Sequence, residues 1–248
     1  MRIAVVGATG RIGSLTVAAL QRAGHDVVPV SRTHGVDVVA GTGLDEVLTG
    51  VAAVVDTTSV NAATDAAAVG FFTTATANLL AAEQRAGVGH HVVLSIARVR
   101  DVPGNAHHAG KRAQEAAVEA GPIPYTIVPA TQFHDFPVTV AGWVEKDGVA
   151  QLPPLLMQPI APADVADILA RVAVGPPQGR HRDIAGPEPQ DLIDMARRTL
   201  AVQGRDIRLV PTWHGGIFDL TMSGDALLPA ADAEIASTTF DDWLAAQR

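Results

Sequence analysis

Apolar and polar positions along the chain alternate between two rhythms. Ile3-Ala4-Val5-Val6 is an uncharged apolar run, the pattern of a short strand buried on both faces. Ile12, Leu15, Thr16, Ala19 and Leu20 then fall on one stripe of a helix. The exchange repeats. Strands are predicted over 25–30, 36–40, 52–55, 90–94 and 123–128. Between them lie a short helix over 44–48, with Asp45 and Glu46 in its first turn, a long helix over 65–86 closed by Gly87, and a helix from His107 to Glu119. Six such alternations predict an α/β fold with a doubly wound parallel sheet.

The rhythm is lost after Phe133. Residues 134–160 read as irregular cover over the sheet edge, with a Pro153-Pro154 turn. Pro162 opens a further helix, 181–185 a seventh strand, 190–202 a helix and 207–210 a strand. Residues 213–228 read as loop, and Thr238 begins a last helix. No repeat or linker divides the chain, so one domain is expected over 1–248. A small C-terminal substrate lobe is expected from 134–160 and 186–235.

The turn between the first strand and the first helix carries the chemistry. Gly7-Ala8-Thr9-Gly10-Arg11-Ile12-Gly13 joins them directly. Strand, glycine turn and helix in this order are the setting of a Rossmann-type dinucleotide site. Gly7 makes the tight turn, Gly10 lets backbone approach a pyrophosphate, and Gly13 lets the helix pack on the strand. The free N–H groups of the helix start then face the phosphates. About twenty residues on, the end of the second strand holds Arg32 rather than an acidic residue, and Asp37 follows too late to replace one. A guanidinium there suits a ribose 2′-phosphate, so NADP(H) is expected over NAD(H). Thr57 and Ser59 end the 52–55 strand where ligands meet open α/β sheets, although Ser59 or Asn61 could equally serve as a helix cap.

Composition narrows the partners. Hydrophobic residues make up 48% of the 248 residues, and the formal net charge is −8. An acidic chain with no basic run is not expected to bind nucleic acid. The absence of cysteine removes disulfides, thiol catalysis and thiolate metal sites. No apolar run reaches the length of a membrane span, and the sequence enters its first strand at once, so a cytoplasmic protein acting on a small molecule is expected. A homodimer is an open expectation. His90 and His91 are expected at a strand edge, pointing to opposite faces, so they do not share a metal. No metal site is expected. His107 and Lys111, four apart, share a helix face, whereas His108 points elsewhere and is expected in solvent.

Together these pieces resemble the atypical short-chain dehydrogenase/reductase superfamily, in particular its NmrA-like and NAD(P)H:quinone-oxidoreductase-like members. The resemblance rests on Gly7-x-x-Gly10-x-x-Gly13, Leu94-Ser95, Lys111-x-x-Gln114-Glu115, Ile123–Val128, Ala130-Thr131-Gln132-Phe133, Pro159-Ile160-x-x-x-Asp164-Val165 and Phe240–Leu244. It implies that Ala130 and Thr131 also line the cofactor. In the superfamily a Tyr-x-x-x-Lys pair and a serine do the acid/base work. Ser95 and Lys111 match two of those positions, and the tyrosine position holds His107. The group often has an arginine where Pro129 stands, a glycine where Arg98 stands and an aromatic residue where His134 stands.

The resemblance implies an NADPH-dependent oxidoreductase acting on a quinone or conjugated carbonyl compound. Lys111 would hold the ribose, Ser95 the substrate carbonyl, and His107 or water would supply the proton. A nucleotide-sensing regulator without turnover stays open. So does a redox-neutral dehydratase, isomerase or cyclase using His107 and His134 as an acid/base pair.

Overall fold

The computed structural model describes residues 1–214, 218 and 220–247. The first half runs β1 (Arg2–Val6), α1 (Arg11–Arg22), β2 (Asp26–Val30), α2 (Leu44–Val47), β3 (Ala53–Asp56), α3 (Asp65–Ala86), β4 (His90–Ile96), α4 (Ala106–Glu119) and β5 (Tyr125–Ala130). The second half continues with α5 (Phe136–Val144), β6 (Val149–Leu152), β7 (Leu156–Met157), α6 (Pro162–Val174), β8 (Gly179–Arg180), β9 (Ile184–Ala185) and β10 (Gln190–Asp191). It ends with α7 (Leu192–Val202), β11 (Arg208–Pro211), β12 (Glu234–Ile235) and α8 (Phe240–Ala245).

The central sheet has eight strands in the order β12-β9-β5-β4-β3-β1-β2, with β8 also paired to β5, and its pairs are parallel. Ile3, Val5, Val55, Val92 and Val128 pack beneath α1 and α6, while Ala4, Val6, Val30 and Val54 pack toward Leu44 of α2 and Leu79 of α3. Helices thus cover both faces, as the apolar strands require. This is a Rossmann-type α/β fold.

Two expectations about elements are corrected. Residues 36–40 do not form a strand. The Asp37 carboxylate accepts the backbone N–H groups of Val39 and Ala40, which a neighbouring strand would otherwise take. Gly41 and Gly43 follow with φ of 74° and 78°, so the segment turns back on itself and the sheet ends at β2. Residues 134–160 are not irregular cover. They form α5, with Pro137 in its first turn, then β6 and β7. Strand β6 pairs with β11 and β7 with β10. Val140, Leu152, Met157, Leu192, Met195 and Phe240 close a second core there. Helix α5 is too uniformly apolar for a helical period to show in sequence, and β6 and β7 are too short to set up an alternation. Part of the loop expected over 213–228, residues 215–217 and 219, lies outside the described residues.

His90 and His91 open β4, and both are buried inside the protein. His90 Nε2 meets Thr126 Oγ1 at 2.8 Å, and His91 Nδ1 meets Glu83 Oε1 at 2.8 Å with neither side chain exposed. Burial pulls His91 down, but the charge and hydrogen bond of Glu83, with Asp56 adding to them, turn the net shift upward. Opposite faces, expected from their adjacency, are what the separate partners show.

Candidate functional site

The glycine turn lies at the carboxyl ends of β1 and β3. Gly7 has φ of 79°, and a Cβ there would stand 2.9 Å from Thr57 Oγ1. A Cβ on Gly13 would stand 2.1 Å from the Gly7 carbonyl oxygen, so the start of α1 sits directly on the turn. Thr57 closes the arrangement by donating both its N–H and its hydroxyl to Val6 O. Thr57 therefore shapes the turn from behind, and Ser59, two residues on, is exposed.

Thr64, Asn105, Asp191 and Thr239 cap α3, α4, α7 and α8 with side-chain oxygens. Gly10 gives α1 no side-chain cap, and its first turn holds no acidic residue. Helices α2, α5 and α6 also lack a side-chain cap, but α2 and α6 carry an acidic residue in the first turn and α5 and α6 a proline, and α1 has neither. The N–H groups of Arg11, Ile12 and Gly13 are thus left for an external anion, which fits a dinucleotide diphosphate. Arg11 pairs with Asp135, the residue before α5. Thr9 and Gly10 are exposed beside them. Arg32 opens a 3₁₀ turn at the end of β2 and is exposed. Asp37, held low by the Ala40 and Val39 N–H groups with Arg32 adding to the effect, is engaged in its own turn.

The residues expected to do chemistry fall into two places. Helix α4 lays His107, Lys111 and Glu115 along one face at four-residue intervals. Lys111 is buried, and its Nζ donates to Thr58 O at 3.2 Å, Leu94 O at 2.9 Å and Gln114 Oε1 at 2.7 Å. Gln114 passes its other end to Asp56 Oδ2 at 2.9 Å. Burial lowers Lys111 to about 8 against the opposing pull of Asp56 and Glu115. Its ammonium also lies 4.7 Å from the centre of the Phe72 ring. All three N–H groups of Lys111 are taken by protein acceptors, and two of them, Thr58 O and Leu94 O, tie α4 to β4 and to the segment after β3.

His107 packs edge-on to Phe72, with ring centroids 5.7 Å apart. Burial, then Lys111, then His108 lower it to about 4, so its ring is neutral at pH 7. Ser95, the penultimate residue of β4, donates to Glu115 Oε1 at 2.6 Å. Glu115 is buried and also accepts from Arg100 and Arg180 at 2.7 and 2.8 Å. His134 is elsewhere. It is buried, its Nε2 meets Pro159 O at 3.0 Å, and it packs against Phe240 and Trp243. His107 and His134 therefore sit in different packing environments, and no contact brings them together. Thr131, after Ala130 at the end of β5, donates its hydroxyl to Gln158 O at 2.7 Å.

His108 corrects the expectation of a solvent-facing ring. It is buried and completes a capping box with Asn105, its Nδ1 lying 3.4 Å from the Asn105 N–H. Burial, then Arg112, lower it to about 4. The residues that sequence reasoning undervalued are Asp56, Asp135 and Arg98. Arg98 holds φ of 52° and reaches Asp225 O at 3.2 Å. The signal was present, because the resembling group often has glycine there, the residue such a φ favours. Among the described residues no three His, Asp or Glu side chains gather into a metal site. None of their helices is long and apolar enough to cross a membrane. A polar cavity of about 670 Å³ opens at the sheet edge between Arg171, Arg180, His181 and Glu234, away from the glycine turn.

Fold and turn together define a Rossmann-type nucleotide-binding protein. The chain belongs to an NAD(P)H-binding family, whose sequence model matches residues 7–176. No curated protein matches the sequence. Solved structures share the fold at low identity. The NADPH-dependent quinone oxidoreductase QOR2 of Escherichia coli, complexed with NADPH, is 19% identical over 85% of this chain and 78% of its own, with a TM-score of 0.67. The Citrobacter triphenylmethane reductase complexed with NADP(H) is 18% identical over 86% and 79%, with a TM-score of 0.63. A short-chain dehydrogenase/reductase superfamily protein of Agrobacterium tumefaciens with bound NAD is 16% identical over 100% and 96%, with a TM-score of 0.72.

Proposed function

We propose that this protein is an NADPH-dependent oxidoreductase that reduces a quinone or another conjugated carbonyl compound. The observation that carries the reading is where the protons of the α4 site lie. Lys111 has given its three N–H groups to protein acceptors, Ser95 has given its hydroxyl to Glu115, and His107 is neutral. A simple carbonyl needs an acid as its oxygen becomes an alkoxide. A quinone does not, because the reduced oxygen is a stable phenolate that takes its proton from water. The overall change is quinone, NADPH and one proton to hydroquinone and NADP⁺.

NADPH supplies the hydride when bound. The uncapped start of α1, over Gly7, Thr9, Gly10, Arg11, Ile12 and Gly13, would hold its diphosphate. Arg32 would hold the 2′-phosphate, which is the basis for preferring NADP(H). Ala130, Thr131 and Ser59 would line the bound cofactor, with Thr57 supporting the glycine turn from behind. Lys111 fixes α4 against β4 and the segment after β3 and so orients His107. The second core, with Val140, Leu152, Leu192 and Phe240, would cover the substrate.

The test is NADPH oxidation by the purified protein across a panel of quinones and enones, with NADPH affinity measured in parallel. Turnover with quinones is expected. Tight NADPH binding with no oxidation of any member would overturn the reading and favour a nucleotide-sensing regulator.

A further inference from the structure

Ser95 and Glu115 impose a polarity on the site that runs against the role the resemblance gives Ser95. A serine hydroxyl has one proton and two lone pairs. Here the proton points at Glu115 Oε1, 2.6 Å away. The other carboxylate oxygen, Oε2, takes Arg100 Nε at 2.7 Å and an Arg180 Nη at 2.8 Å. Arg100 is steadied in turn by Glu119 at 2.7 Å. A carboxylate gripped by two guanidinium groups is ionised and has no proton to return. Glu115 is 1% exposed, so water does not compete for the bond. Three elements fix its position, since Arg100 comes from the segment after β4, Glu115 from α4 and Arg180 from β8.

From this we infer that Glu115 is a positioning residue that makes Ser95 a hydrogen-bond acceptor toward the ligand. Ser95 then cannot donate to a substrate carbonyl. It receives an O–H or N–H, and the group it meets best is the hydroxyl of the reduced ring rather than the carbonyl of the oxidised one. Glu115 itself need not touch the ligand. The inference rests on the quinone reading above and assigns the polarity of its binding site.

The experiment measures binding, not turnover. The NADP⁺-loaded protein is titrated without oxygen with 1,4-dihydroxynaphthalene and with 1,4-dimethoxynaphthalene, which accepts hydrogen bonds but cannot donate them. The wild type is expected to prefer the dihydroxy ring by several-fold to about tenfold, the range of one net hydrogen bond. Ser95→Ala is expected to remove most of that preference while leaving NADP⁺ affinity in place. Glu115→Gln, whose amide can donate to Ser95 and free its proton, is expected to reduce the preference as well. If Glu115→Gln does not fold, Ser95→Ala still decides the polarity. An unchanged preference in Ser95→Ala, or a Ser95-dependent preference for the dimethoxy ring, would overturn the inference while leaving the quinone reading intact. A wild type that binds NADP⁺ but neither ring overturns the quinone reading and this inference with it.

Discussion

Arg11, in the first turn of α1, forms an ion pair with Asp135, the residue before α5. The contact ties the glycine turn to the start of the second core across 124 residues of sequence. Asp135 is the more buried partner, with 14% of its side chain exposed against 48% for Arg11, and its Oδ1 has no hydrogen-bond partner. Removing Arg11 strands a half-buried carboxylate. Arg11→Ala is expected to cost about 1–3 kcal/mol in urea unfolding. Adding Asp135→Asn is expected to recover at least half of the loss. A neutral Arg11→Ala would show that the pair contributes nothing in solution.

The two later glycines of the turn separate folding from binding. A Cβ on Gly13 would lie 2.1 Å from the Gly7 carbonyl oxygen, whereas one on Gly10 meets the same oxygen at 3.1 Å and nothing else nearby. Gly13→Ala is expected to prevent folding or cost several kcal/mol, because backbone must shift. Gly10→Ala is expected to cost about 1 kcal/mol and to weaken NADPH binding at least tenfold, since the added methyl faces the approach to the diphosphate. Thermal melting and fluorescence titration separate the two outcomes.

Acid sensitivity has a defined sign. Burial holds His107, His108 and His134 at about 4, below the ordinary 6.5. Between those values the unfolded chain binds more protons than the folded one, so their contribution is present above pH 6.5 and is lost as pH falls toward 4. Burial raises Glu83, Asp135 and Asp183, which act in the opposite sense. The diagnostic is therefore a difference between proteins. His108→Gln is expected to be less stable than wild type at neutral pH, because it weakens the capping box. It is also expected to lose about 1–3 kcal/mol less between pH 6.5 and 4. Parallel stability curves for the two proteins would remove His108 from the acid response.

Arg32 separates the two nicotinamide cofactors. Its side chain is exposed at the end of β2, beside a short turn closed by Gly35. Arg32→Ala is expected to raise the NADPH dissociation constant about tenfold or more and to leave NADH within about twofold. Equal weakening of both in a binding titration would assign Arg32 to the shared part of the cofactor instead.

The polar network around α4 explains which residues the linear pattern could and could not show. Lys111 and His107 were visible through their four-residue spacing and through the resemblance. That spacing says nothing about protons. Lys111 satisfies Thr58 O, Leu94 O and Gln114, and those partners lie up to 53 residues from it in sequence. Glu115 was visible only as part of a motif, because its meaning lies in Ser95, Arg100 and Arg180 meeting it. His108 was misjudged because a helix wheel places it off the His107 face, whereas its ring folds back onto Asn105 to cap the helix.

What the sequence by itself determined is the local physics. Uncharged Val- and Ala-rich runs must be buried on both faces, and Gly7, Gly10 and Gly13 follow the first of them at fixed spacing. From these come the parallel sheet, its flanking helices and the open start of α1, because burial and backbone freedom are properties of neighbouring residues. Only the tertiary structure decided the rest. It ended the sheet at β2 by turning Asp37 onto its own backbone and folded 134–160 into a helix and two strands around a second core. It also set the direction of each hydrogen bond at Lys111 and Ser95. A donor finds its acceptor through space, and the chain order does not carry that distance.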